Sequence, residues 1–178
     1  YRIAKHRLSI LIRCFAFFCF DSEYSEMKIT LGFGSNLGER KETIEQAYEL
    51  LEKELGVMLS KSSFIETEPW GFTSDNMFMN SVAVFETEKT PMQALEICNM
   101  IEEKLGRRRS VDDVGYASRS IDIDILFCDS QIIDTPLLKV PHPLIEKRDF
   151  VLNPLKEIMP EFIHPLIGKK IIDIFSDK

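Results

Sequence analysis

Basic residues are in deficit: 22 lysines and arginines face 29 aspartates and glutamates in 178 residues, a net charge of −7. That balance argues against a non-specific nucleic-acid binder, so any anion must meet a local cluster rather than a general field. Cysteines are few, and Cys14, Cys19, Cys98 and Cys128 show no metal-ligand spacing. Cys98 and Cys128 fall in apolar helical and strand patterns and read as small reduced core residues, as expected in the cytoplasm. Low-complexity tracts and internal repeats are missing too. The sole glycine-rich turn, GFGSNLG at Gly32 to Gly38, lacks the lysine and the serine or threonine of a phosphate-binding Walker loop.

No apolar run is long enough to span a bilayer. The longest candidate, Leu8 to Phe20, is short and broken by Arg13, and no small-residue cleavage site follows it. Residues 1–26 therefore read as an extension outside the catalytic fold, with a peripheral anchor or targeting segment and an extra helix as the alternatives. Residues 27–178 are of a size for one domain with a real core.

From Met27 the pattern becomes regular. KITLGFGSN reads as a strand, followed by a helix with Ile44, Ala47, Tyr48, Leu51 and Leu55 on one face and Gly56 as its stop. Two further strands, VMLSKSSFIETEP and FMNSVAVFETE, flank the polar loop WGFTSDN. Thr90, Pro91 and Gln93 offer a capping box for a second helix that buries Leu95, Cys98, Ile101 and Leu105. A fourth strand contains two aspartates, with a CDSQ turn and QIIDT as its short partner. A short helix near Phe150 to Met159 lies in the proline-rich end. The order β-α-β-β-α-β predicts an α+β, ferredoxin-like antiparallel sheet with helices packed on it and C-terminal additions. A doubly wound sheet would need strands and helices to alternate strictly, which the adjoining second and third strands break.

The fourth strand, RSIDIDILF at Arg119 to Phe127, carries the chemistry. Alternation sets Ile121, Ile123 and Ile125 on one face and Asp122, Asp124 and Leu126 on the other. Two carboxylates roughly 6 to 7 Å apart along one strand face repel unless cations intervene. A half-exposed strand face would also explain them, so the context decides. Just upstream, Arg107, Arg108 and Arg109 follow a helix stop, and Arg119 precedes Asp122 by three residues. Guanidinium forks take phosphate oxygens while a carboxylate pair holds magnesium, a combination suited to a polyphosphate. Downstream, VPHPLIEKRDF adds His142, for which packing in a proline-flanked turn is an open reading, with Arg148 a candidate phosphate ligand and Phe150 a candidate stacking ring.

In order and spacing, these segments resemble 6-hydroxymethyl-7,8-dihydropterin pyrophosphokinases of the folate pathway. The carrying motifs are GFGSNLG, ETEPWG, FMNSV, GRRR, RSIDIDILF and VPHPLIEKRDFVLNPLKEIMPEFIHP, covering Met27 to about Ser176. The resemblance implies ATP as co-substrate, two Mg2+ ions on Asp122 and Asp124, and transfer of the terminal pyrophosphate to the pterin hydroxymethyl group with release of AMP. It implies catalytic roles for Arg107, Arg119, Asp122 and Asp124. ATP contacts are implied from Glu102, Arg107, Arg109, Arg119, His142 and Arg148. Thr67, Trp70 and Asn80 would read the pterin edge, and Phe78 and Phe150 would sandwich its ring. For Glu102, a surface helix glutamate is an equally open reading.

The loop from Arg107 to Arg119 is about two residues longer than the family's usual form. Tyr116, Ala117 and Ser118 stand where an aromatic, a glycine and a proline are usual. No nucleic-acid or membrane partner is expected, and a monomer or weak homo-oligomer is. Two rivals remain open at this stage: a related phosphoryl or nucleotidyl transferase with another acceptor, and an ATP-binding sensor or adaptor without chemistry.

Overall fold

The computed structural model describes residues 26–71, 73–107 and 118–175. Strand β1 (Met27–Ser35) sends Met27, Ile29, Leu31 and Phe33 to one side, where they join the main core. The alternate positions from Thr30 onward include Gly32 and Gly34, which leave that side nearly bare. Helix α1 (Arg40–Glu54) covers the first face with Ile44, Ala47, Tyr48 and Leu51, as its periodicity predicts. Strands β2 (Val57–Lys61) and β3 (Ile65–Thr67) both pair with β4 (Phe78–Thr87). Helix α2 (Pro91–Lys104) returns over the first face, and β5 (Asp122–Cys128) pairs with β1.

The order β2-β4-β1-β5, all antiparallel, is the expected ferredoxin-like arrangement, with β3 continuing the β2 edge. The single predicted strand across VMLSKSSFIETEP is broken in two, because Ser62 turns out of the ladder. It still donates from its backbone to Val82 O at 2.8 Å, while its hydroxyl accepts from Val82 N at 3.0 Å.

A second cluster occupies the opposite face of the sheet. Helix α3 (Asp149–Ile158) packs Val151, Leu152 and Leu155 there with Val82, Leu126 and Phe127. Strict alternation would put Phe127 with the isoleucines, on the other face. A bulge intervenes: Thr30 pairs with Phe127 and Leu31 with Ile125, so Leu126 is the extra residue. Both Leu126 and Phe127 thus serve the second cluster, and Cys128, opposite Ile29, returns to the first.

Two expectations need correction. QIIDT does not pair with the aspartate strand; β6 (Ile133–Asp134) pairs with β7 (Lys139–Val140) in a separate ribbon. The turn at Asp129, whose φ is 45°, ties its carboxylate to Lys28 N at 3.1 Å and leads the chain away, so β5 stays an edge strand of the main sheet. In α2 the deeply buried positions are Ala94, Cys98, Ile101 and Glu102, whereas Leu95 and Leu105 are only partly covered. Among the described residues no helix is long and apolar enough to cross a membrane. Residues 1–25 lie outside the described residues.

The capping box is present: Gln93 N donates to Thr90 Oγ1 at 3.3 Å and Thr90 N to Gln93 Oε1 at 2.9 Å. Thr90→Ala should therefore cost about 1 kcal/mol in urea melts. Substrate affinities should not change, since this helix start lies outside both cavities described next.

Candidate active site

The register of β1 against β5 opens the space in front of the two aspartates. Asp122 pairs with Gly34 and Asp124 with Gly32, so the neighbouring strand contributes no side chain beside either carboxylate. A Cβ on Gly34 would lie 3.2 Å from Asn80 Oδ1 and 3.7 Å from the Phe78 ring; one on Gly32 would lie 3.3 Å from the Leu126 side chain. The bare backbone is the floor of a cleft. Thr67, Trp70, Phe78, Asn80, Arg148 and Phe150 line it together with Arg119, Asp122 and Asp124. Asn80 Nδ2 donates to Thr67 Oγ1 at 2.8 Å, which fixes the orientation of the amide on the cleft wall.

A second cleft runs along the outer edge of β5 between α2 and the segment from Leu137 to Pro143. Glu102, Arg107 and His142 line it, and it shares Asp122 and Asp124 with the first. Two clefts therefore meet at one carboxylate pair.

Arginines from three segments converge on that pair. Arg107 donates through Nη1 to both Glu102 Oε1 and Asp122 Oδ1, and Arg119 Nη1 donates to Asp122 Oδ2 at 2.8 Å. Arg148 Nη1 lies 3.6 Å from Asp124 Oδ2, and its guanidinium carbon stands 4.9 Å from the Trp70 ring centre and 5.7 Å from that of Phe150. Glu102, only 2% exposed, also accepts from Ile123 N at 2.8 Å, so it satisfies an edge-strand donor while bracing Arg107.

Burial, followed by the charge of Asp122, pushes Asp124 up to about 7, with Arg148 and Arg119 pulling the other way. Its side chain retains 38% of its surface exposed, facing the two clefts. His142 is pushed down to about 4 by burial and by the Arg148 charge, against an opposing pull from Asp122. It is thus neutral near pH 7. Its Nδ1 accepts from Leu144 N at 3.3 Å, which makes Nε2 the proton-bearing nitrogen, free to donate to an anionic oxygen.

Residues 30–160 match the family model described as 7,8-dihydro-6-hydroxymethylpterin-pyrophosphokinase (HPPK). A 2-amino-4-hydroxy-6-hydroxymethyldihydropteridine pyrophosphokinase of Porphyromonas gingivalis is 41% identical over 138 residues, 77% of this chain and 93% of that protein. The chain belongs to the HPPK family. An enzyme of the same name from Aquifex aeolicus is 40% identical over 143 residues, covering 80% of this chain and 87% of the relative. The wild-type Plasmodium falciparum HPPK-DHPS structure superposes with a TM-score of 0.67 at 17% identity, a likeness of fold. It covers 85% of this chain, which spans 44% of that longer one.

Within this HPPK domain the site residues expected from sequence come together around the two clefts, with one exception. Arg109 lies outside the described residues, as do Tyr116 and Ala117. Arg148, expected on the nucleotide side, lines the first cleft and reaches the junction through Asp124. Trp70 presents its ring to Arg148, not only its backbone to the cleft. Glu102 is a buried brace, which removes the surface-glutamate alternative.

Asn36, within GFGSNLG, has a part in the site that local pattern alone does not assign. Its Oδ1 accepts from Arg119 N at 2.7 Å, its Nδ2 donates to Ser118 Oγ at 3.0 Å, and its backbone N donates to Arg119 O at 3.2 Å. Arg119 is therefore clipped to the end of β1. Asparagine following a glycine-rich strand end was the available signal.

Magnesium fits this donor set. Burial and then the neighbouring Asp122 charge push Asp124 towards its protonated form, a bias that a bound cation would relieve. No cluster of three or more His, Cys, Asp or Glu ligands exists among the described residues. That suits Mg2+, which binds through one or two carboxylates and takes its remaining ligands from phosphates and water.

The raised Asp124 value generates a pH prediction for the protein in chelator. The folded state keeps the Asp124 proton up to about pH 7, whereas the unfolded chain releases it near 4. Between those values the folded state binds more protons, so wild-type stability declines as pH rises through the window. Asp124→Asn removes that decline: urea melts should show the variant gaining on wild type from pH 5 to pH 8. A constant difference would mean that Asp124 titrates normally.

Proposed function

We propose that this chain transfers the pyrophosphoryl group of ATP to the hydroxymethyl oxygen of 6-hydroxymethyl-7,8-dihydropterin, giving the pterin diphosphate and AMP. The observation that carries this reading is the meeting of two clefts at Asp122 and Asp124. A flat heterocycle with polar edges suits the first cleft, between Phe78 and Phe150 with Thr67 and Asn80 at its margin. The nucleotide suits the second, with its phosphates reaching Arg107, Arg119 and His142 at the junction. An ATP sensor has no use for the first cleft, which favours the enzyme.

The two substrates are held so that the pterin hydroxyl faces the β-phosphorus in line with the bond to be broken. The new O–P bond forms as the bond from the β-phosphorus to the α,β-bridging oxygen breaks; AMP takes the electron pair, and the hydroxyl proton leaves to solvent. Mg2+, with two ions expected on Asp122 and Asp124, supplies neutralisation of the phosphate charge. Arg107 and Arg119, which also contact Asp122, take phosphate oxygens and meet charge as it moves onto AMP. His142 donates one neutral hydrogen bond. No side chain has to act as a general base, so the rate comes from orientation and electrostatics.

Residues 27–178 form the catalytic domain in this reading, and Arg109 adds a further phosphate contact. A monomer or weak homo-oligomer belongs to this reading. The buried free thiols of Cys98 and Cys128 fit the cytoplasm.

AMP should form only when ATP, magnesium and the pterin are all present; AMP formation with other acceptors but not the pterin would point to a different transferase. Asp122→Ala should lower turnover at least a hundredfold, about 3 kcal/mol of transition-state stabilisation, and near-normal turnover would sink the assignment. Asn36→Ala, which releases Arg119, should lower kcat roughly tenfold with only a small change in melting temperature.

A further inference from the structure

Arg148 is nearly buried, with 8% of its side chain exposed, yet its contact with Asp124 is a long 3.6 Å. A buried charge takes its direction from all of its neighbours. Two are aromatic: Trp70 at 4.9 Å from the guanidinium carbon and Phe150 at 5.7 Å. Arg148 and Phe150 belong to the same turn into α3, whereas Trp70 comes from the loop between β3 and β4, on the first cleft's outer wall. Trp70 is 36% exposed, so its indole is not there to fill a core. A weakly hydrated guanidinium over an indole face is the geometry of a cation–π contact.

We propose that the Trp70 ring is a positioning element for nucleotide, not only a wall for the acceptor: it holds the Arg148 guanidinium toward Asp124, where the polyphosphate is to lie. The loop that borders the acceptor cleft thereby sets affinity in the neighbouring one. This rests on the reading of Arg148 as a phosphate ligand of an ATP-dependent enzyme. A cation–π contact of this kind corresponds to a few-fold to roughly tenfold effect on nucleotide affinity.

The experiment is a double-mutant cycle on the full chain, reading AMP formation and the affinity for a magnesium complex of a non-hydrolysable ATP analogue by calorimetry. Trp70→Leu should weaken analogue binding and raise KM for ATP about three- to tenfold, with a smaller change in kcat. Trp70→Phe, which keeps a ring face, should restore most of the loss. In an Arg148→Met background Trp70→Leu should cost less than about twofold, because its target is gone. Equal losses in both backgrounds, or a rise confined to the pterin KM, would overturn the proposal while leaving the proposed reaction intact. Absence of pterin-dependent AMP formation by the wild-type chain would overturn the reaction and this inference together.

Discussion

The register of β5 against β1 is the constraint on which the site depends. Asp122 stands opposite Gly34 and Asp124 opposite Gly32, so the strand face that carries the charges also has empty space beside it. Larger residues on β1 would fill that space: a Cβ on Gly34 already presses on Asn80 and comes near the Phe78 ring, both in the first cleft. On its other side β5 has no strand partner among the described residues, since β6 pairs with β7. An edge strand is normally a hazard because its unpaired backbone groups invite other strands. Here Glu102 caps one of them at Ile123, and the remaining edge forms a cleft wall. One strand, with glycines on one side and an open edge on the other, is therefore shared by two cavities.

Electrostatics follow from that placement. The chain is acidic overall, so its anion-binding potential has to be made locally, and it is made by bringing Arg107, Arg119 and Arg148 from separate segments onto two carboxylates. Buried ion pairs of this sort are weak evidence for stability, because desolvation offsets much of their attraction. Their value is organisational. Asp122, which holds Arg107 and Arg119, and Asp124, beside Arg148, are themselves the proposed metal ligands.

The legible part of this architecture was whatever local pattern controls. Alternation in RSIDIDILF separated the isoleucines from Asp122 and Asp124, and the α1 stripe from Ile44 to Leu55 and the Thr90 capping box appear as expected. The order of elements was enough for the fold. Long-range events escaped: the bulge at Leu126 that carries Phe127 to the second cluster, the break at Ser62, and the pairing of β6 with β7 rather than β5. The same division holds at the site. Residue types suggested phosphate and metal chemistry, but burial of Glu102 and the Asn36 clip on Arg119 depend on which segments meet in three dimensions. A glutamate at one helical position looks the same in sequence whether it faces solvent or an edge strand.

Ser118 shows how a departure from the family's usual residue can be absorbed. A proline there would restrict the backbone before Arg119 by its ring, with no hydroxyl to offer. Serine gives up that stiffness, but its hydroxyl accepts from Asn36 Nδ2 at 3.0 Å and lies 3.3 Å from Ser74 Oγ, which in turn accepts from Asn76 N at 3.1 Å. With the Ser118 oxygen accepting from Asn36, its own proton can point to Ser74. The anchor point of Arg119 is thus tied to the end of β1 and to the loop bordering the acceptor cleft, through hydrogen bonds that can be exchanged for water. Net, such bonds are worth only about 1 kcal/mol each. The same contacts join the residue before Arg119 to the loop that carries Trp70. In this chain, the positions of Arg119 and of the acceptor-side loop are coupled by side chains where a proline ring would have constrained only the backbone next to Arg119.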